Sequence, residues 1–263
     1  MPSPRGYNLN KPEVIRLPLE LDEISGLAFS VKDNTLFAIN DERGFLYKIR
    51  PTQSDNIERW QFSTGGDYED VVLLPPFFFV MNSKGGFTVF RFAQGTADLA
   101  QTFLIPPPEE GGNEFESCWW EPRLERILML CKDCKSDTRD SSTIFALDPK
   151  TSTWSLAPIG INTNEIATLL NEQDIRFKPS AAALHPITGE LYMVSAVNKL
   201  LVVASRRGNV KNVYKLDPSR FKQPEGIAFS PAGTLFISNE AADVGVANIL
   251  VYRYATTAQP VKP

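Results

Sequence analysis

The chain has 263 residues, 43% hydrophobic and 22% charged, with a formal net charge of -4 and a pI near 5.3; one all-β domain of this size needs no split and can bury a sizeable core. An acidic balance with no Lys/Arg-rich run lacks the basic footprint that phosphate neutralisation requires, which sets nucleic acid aside. No apolar stretch reaches the ~20 residues of a spanning helix, and the longest, 71–81, is broken by Pro75 and Pro76.

The first ten residues are polar and lack the apolar centre of a secretory leader, so the chain is expected either to start in the cytosol or to have lost a leader. Residues 1–12 read as a tail, and 13–19 as a lone apolar strand. From there one short pattern recurs: Glu23-Ile-Ser-Gly, Asp67-Tyr-Glu-Asp, Glu114-Phe-Glu-Ser, Lys178-Pro-Ser-Ala and Gln223-Pro-Glu-Gly. Its third positions, Ser25, Glu69, Glu116, Ser180 and Glu225, fall 44, 47, 64 and 45 residues apart. Such a period signals a ring of repeats.

Within each repeat, apolar runs and turns alternate as four strands. The first repeat reads as strands over 27–29, 35–39, 45–49 and 58–62. In the fourth, strands at 180–184, 191–195, 200–204 and 212–216 surround a turn at 185–190. The long third interval holds 164–174, where Ile166, Leu169 and Leu170 have helical spacing. The last repeat ends after its third strand, 249–254, and 13–19 supplies the fourth. The expectation is an all-β, five-bladed propeller of four-stranded blades over 13–256, with a tail at 257–263; closure removes open sheet edges. A six-bladed ring needs one more copy, which the sequence does not show.

Neighbouring antiparallel strands run in opposite senses, so the start of each inner strand and the end of each second strand share one face of the disc. Inner-strand starts bring Glu23, Ser25, Glu69, Asp70, Glu116, Ser117, Ser180 and Glu225 to the channel mouth. Second-strand ends bring Asn40, Asp41, Glu42, Asn82, Lys132, Asp133, Ser195, Asn239 and Glu240. Three glutamates at equivalent positions, Glu69, Glu116 and Glu225, would raise one another's pKa unless a cation or a lysine offsets them. Calcium suits such oxygen ligands, and solvated glutamates in a wet channel are the alternative. Lys132 and Lys199, after second strands, are candidates for an anionic ligand. Glu23, Ser25, Asp41, Asp70, Ser180, Ser195, Asn239 and Glu240 complete the candidate ligand set.

Conventional nucleophilic catalysis has little support. The single histidine, His185, falls in a turn on the opposite face and reads as a turn residue before Pro186. Cys131-Lys-Asp-Cys134 lacks the second pair of a zinc site. In an oxidising compartment Cys131 would pair with Cys134, leaving Cys118 buried and inert; three reduced cysteines are the alternative. Trp119, Trp120 and Phe77 to Phe79 read as packing between blades.

Several stretches together carry a family resemblance: Glu-Ile-Ser-Gly at 23–26, Asn-Asp-Glu at 40–42, Gly-Asp-Tyr-Glu-Asp at 66–70, Leu-Cys-Lys at 130–132, Lys-Pro-Ser-Ala at 178–181 and Pro-Glu-Gly-Ile-Ala-Phe at 224–229. Over roughly 13–254 the chain resembles the SdiA-regulated propellers. That resemblance implies an exported bacterial protein of the periplasm or cell envelope, against the cytosolic alternative, with a poorly defined role and a hint of bound calcium. It brings no catalytic residues.

Three functions follow as expectations: a monomeric propeller binding a small ligand or protein at its acidic mouth, with calcium; a metal-dependent hydrolase of a lactone, ester or phosphoester; and an interaction scaffold without metal. Fold alone does not choose among them.

Overall fold

The computed structural model describes residues 1–51, 53–93, 95–108, 112–241 and 245–255. Each repeat folds as a four-stranded antiparallel sheet. Blade 1 is Ile24–Ser30, Thr35–Asn40, Phe45–Arg50 and Gln53–Gln61; blade 2 is Tyr68–Leu74, Phe77–Asn82, Phe87–Ala93 and Thr96–Ile105. Blade 3 is Glu114–Glu121, Arg126–Asp133, Ile144–Asp148 and Thr153–Leu156; blade 4 is Ala181–Leu184, Leu191–Ser195, Leu200–Ala204 and Val210–Lys215. Blade 5 takes Pro224–Phe229, Leu235–Asn239 and Asn248–Tyr252 from the end of the chain and Glu13–Arg16 from its beginning. That outer pairing, Glu13 opposite Val251 and Arg16 opposite Asn248, closes the ring. Inner strands of successive blades pack on one another all the way round, blade 5 on blade 1 included.

Both faces of a blade are covered by its neighbours, so the central strands read as unbroken apolar runs rather than alternating ones. Thr35–Asn40 and Leu191–Ser195 are buried throughout. The core is correspondingly split into five clusters, each wedged between two blades. Phe37, Phe78 and Phe90 fill the gap between blades 1 and 2, and Trp119 packs between blades 3 and 4. The aromatic runs are core, as their strand positions implied.

Boundaries differ in detail from the expected ones. The outer strand of blade 1 is Gln53–Gln61 rather than 58–62, and the N-terminal strand stops at Arg16, where Pro18 removes a backbone donor. A short turn, Leu19–Leu21, then buries Leu21. The insertion holds one helix, Thr163–Leu170, whose Asn162 side chain accepts from the Asn164 and Glu165 amides; Asn171, at φ 57°, ends it in the left-handed region. Ile166 enters the core between blades 3 and 4, while Leu169 stays exposed.

Residues 1–12, expected as a tail, form no strand, yet Tyr7 and Leu9 are buried against blades 4 and 5. The expected tail at 257–263 lies outside the described residues. No helix among the described residues is long and apolar enough to cross a membrane.

Candidate functional site

The expected acidic mouth is built by a repeated backbone irregularity. In blade 2, Tyr68 faces Asn82 and Asp70 faces Met81, which leaves Glu69 as an extra residue. Glu116 in blade 3 is extra in the same way, between the Phe115–Cys131 and Ser117–Leu130 pairs, and so is Glu225 in blade 5, between Pro224–Asn239 and Gly226–Ser238. Blade 1 slips at the same level, across Ser25 and Gly26. A β-bulge of this kind takes its residue out of the ladder and re-aims the side chain. The three glutamates therefore share one level of the disc.

They do not share one environment. Glu69 joins Asp41 and Asp67 in a group in which one carboxylate oxygen from each lies within 4.8 Å of those from the other two. Asp41 follows the second strand of blade 1, and Asp67 sits in the loop entering blade 2. The loops are tied by the Tyr68 amide donating to the Asp41 carbonyl at 2.9 Å and by the Ser83 hydroxyl donating to the Asp67 carboxylate. Burial, and then the charges of Asp67, Glu23 and Glu42, push the Asp41 pKa up to about 6. Burial, with the charges of Asp41 and Asp67, pushes Glu69 up to about 8. Asp67 was not singled out as a ligand from the sequence. The available signal was its place in a loop that opens on the same mouth, two residues before the bulge.

Across the mouth, burial and the charge of Glu240 raise Glu225 to about 8, while Lys132 and Lys199 pull it down. Glu240 is raised to about 7, by burial and then by Asp41 and Glu23, and accepts a 2.9 Å hydrogen bond from the Gln223 amide. Glu116 is taken up differently: the Lys132 ammonium is paired with it and with Glu114, the latter at 3.0 Å. Lys199 donates to the Lys222 carbonyl, and burial lowers its pKa.

Several candidate ligands are occupied as stitches. Ser25 donates its hydroxyl to the Tyr68 carbonyl (2.8 Å), Ser180 to the Pro224 carbonyl (2.5 Å), and Ser238 to the Ser25 carbonyl (3.3 Å), joining blades 1 to 2, 4 to 5 and 5 to 1. Buried Asp70 joins blades 2 and 3 by accepting the Cys118 amide at 2.8 Å, beside the Val71 amide at 2.8 Å; burial still raises it to about 8. Ser195 bonds Asn198 within its own turn, and Asn239 donates to Asn248 at 3.1 Å. Glu23 remains partly buried at the rim, its carbonyl accepting the Asp41 amide at 3.0 Å.

Below the mouth, a channel of about 190 Å³ passes between the five inner strands, past Leu27, Val71, Cys118, Ala182 and Ile227. A separate cleft of about 310 Å³, at the end of the second strand of blade 3, is lined by Lys132, Asp133, Cys134, Asp137, Arg139 and Arg176 among others. Cys131 and Cys134 are bonded to each other, and Cys118 is buried and free. His185 lies in the opposite-face turn, but it is fully buried and engaged: its Nδ1 accepts from the Ile187 and Thr188 amides at 3.1 Å each, and its Nε2 lies 2.8 Å from the Tyr7 hydroxyl. Neither ring nitrogen faces the mouth.

Three carboxylates at one point, without histidine or thiolate, are a donor set for a hard cation that accepts oxygen in loose geometry. The fold and this mouth together define a five-bladed β-propeller with an acidic axial opening. The profile of the SdiA-regulated family matches residues 16–243, and the chain belongs to that family.

Among solved structures, the chain is similar to a luciferin-regenerating enzyme at 12% identity and TM-score 0.60, covering 94% of this chain and 96% of the other. It is similar to regucalcin from Agrobacterium tumefaciens, a calcium-binding protein, at 12% identity and TM-score 0.54, covering 95% of each. It also resembles a gluconolactonase from Xanthomonas campestris at 13% identity and TM-score 0.52, covering 94% of this chain and 85% of the other. Such identities establish a shared fold. No curated protein matches the sequence.

Proposed function

We propose that the protein is a cation-dependent binding propeller, in which Asp41, Asp67 and Glu69 hold one divalent ion, calcium by the hardness of the donors, beside a site for a small ligand or partner. The observation that carries this is the three-carboxylate group, gathered within 4.8 Å from the end of the second strand of blade 1 and the entry to blade 2. Like charges so close are held apart from full ionisation unless a cation offsets them. The sequence pointed to Glu69, Glu116 and Glu225; the proposal keeps Glu69 and moves the centre toward blades 1 and 2, because Lys132 already meets Glu116. The calcium named for regucalcin supports the reading.

The test is thermal unfolding of metal-stripped protein with calcium, magnesium or zinc, since a ligand binding only the folded state raises its stability, by about 2.7 kcal/mol at a hundredfold excess over Kd. A calcium-specific rise that vanishes in an Asp41→Asn, Asp67→Asn, Glu69→Gln variant is expected. No shift with any of the three ions would sink the proposal.

A second reading, hydrolysis of a lactone, ester or phosphoester, is favoured by Glu240, whose pKa near 7 suits proton transfer at neutral pH. A bound cation would polarise the substrate oxygen. The lactonase named among the similar folds fits this reading. Turnover of a lactone panel by calcium-loaded protein, lost in Glu240→Gln, would establish it, and a silent panel would remove it.

For location, the Cys131–Cys134 bond supports an oxidising compartment such as a bacterial envelope. Fractionation of cells expressing the full-length natural gene checks this; recovery with the cytosolic fraction, cysteines reduced, would overturn it.

A further inference from the structure

Lys132 stands at the end of the second strand of blade 3, inside the loop closed by the Cys131–Cys134 bond. The same loop is pinned by the Cys134 amide donating to Asp137 at 3.0 Å. Its backbone is thus restrained on both sides of the lysine. The side chain is only 18% exposed, and the ammonium is paired with the bulge glutamate Glu116 and with Glu114. Glu116 stands at the same level of the disc as the other two bulge residues, Glu69 in the preceding blade and Glu225 in blade 5. One fixed ammonium is therefore held at the level where the three bulge glutamates repeat.

An ammonium is a compact point charge with three donors, and among several carboxylates it does what a metal ion would do. We infer that Lys132 is a tethered cation that occupies the place a second metal ion would take among the bulge glutamates, limits the mouth to one divalent ion, and sets the affinity for that ion. This rests on the cation reading of Asp41, Asp67 and Glu69. Two positive charges in one partly buried mouth repel with little screening by salt, so removing one must strengthen binding of the other.

The experiment is isothermal titration of metal-stripped protein with calcium chloride, comparing wild type with Lys132→Met, which keeps the apolar stem and deletes the charge, and with Lys132→Arg, which keeps the charge. Lys132→Gln serves as a second neutral variant should the methionine protein fail to fold, with near-ultraviolet circular dichroism reporting folding. Wild type and Lys132→Arg are expected to bind one calcium per chain; the neutral variants should bind at least about tenfold tighter, or take up a second ion. A folded neutral variant matching wild type in stoichiometry, and within twofold in affinity, overturns the role of Lys132 and leaves the cation reading standing. Calcium uptake by the neutral variant alone overturns the one-ion limit together with the cation reading for the natural protein. No uptake by either, up to 10 mM calcium, overturns both.

Discussion

The hydroxyl of Tyr7 lies 2.8 Å from the Nε2 of His185, so that the N-terminal segment is fastened to the far face of blade 4. Tyr7 also donates to the Gly233 carbonyl at 2.5 Å, and the His185 Nδ1 accepts two backbone amides. These partners require the proton on Nε2, donated to Tyr7, and they leave no place for a second proton on Nδ1. Burial accordingly holds the His185 pKa below its usual value, outweighing the charge of Glu190. A group whose folded pKa is depressed contributes stability that is present above its unfolded pKa of about 6.5 and is lost as pH falls through the folded value. Wild type should thus lose, between about pH 7 and 5, a stability increment that His185→Gln does not lose; Tm measured against pH for both proteins checks the difference. Parallel curves would refute it. Tyr7→Phe, which strands a buried donor, should cost about 1–3 kcal/mol at pH 7.

The acidic mouth gives the opposite sign. Asp41, Glu240, Glu69 and Glu225 are raised to about 6, 7, 8 and 8. Their stabilising contribution is complete below the unfolded carboxylate values of about 4 and is lost as pH rises through 6 to 8. Metal-free protein should therefore become less stable toward pH 9, less steeply in a Glu69→Gln, Glu225→Gln variant. Calcium should reverse the trend and release protons on binding. Titration calorimetry in two buffers of different ionisation enthalpy counts those protons; zero released at pH 7 would contradict the shared-charge account.

Much of the fold was legible because a blade demands the same four strands each time, so Ser25, Glu69, Glu116, Ser180 and Glu225 recur at blade-sized intervals. Repetition also made the level of the glutamates legible. What each residue does there was not. The bulge that frees Glu69 is a slip between Asn82 and Met81 on the partner strand, and a period of two along one strand does not reveal its partner's register. That Ser25 and Ser180 would be spent on carbonyls of the next blade depends on the angle between blades. The burial of Tyr7 and Leu9 depends on contacts with residues near the other end of the chain, which local pattern cannot show.

Packing between blades should dominate stability. Phe78 is fully buried between blades 1 and 2 against Phe37, Phe90 and Phe92, with the Phe37 ring centroid 4.9 Å away. Phe78→Ala opens a cavity and should cost about 3–5 kcal/mol. Leu104, on the outer strand of blade 2, is 75% exposed, and Leu104→Ala should change stability by no more than about 0.5 kcal/mol. Urea unfolding of the two variants measures the contrast, and comparable losses would mean that the blade interface is not where the apolar free energy resides.

The stitches near the mouth test whether the ring closes cooperatively. Ser180→Ala removes a buried donor to the Pro224 carbonyl between blades 4 and 5, and Ser25→Ala does the same between blades 1 and 2. Each should cost about 1 kcal/mol, more where the abandoned carbonyl stays dry. The two sites lie at different interfaces, with that between blades 5 and 1 separating them, and share no partner, so independent stitches predict a double variant whose loss is the sum within about 0.5 kcal/mol. A double loss well below the sum would show that opening one blade interface already releases the other. In that case the chain closed by Glu13–Arg16 on Asn248–Tyr252 unfolds as one ring rather than blade by blade.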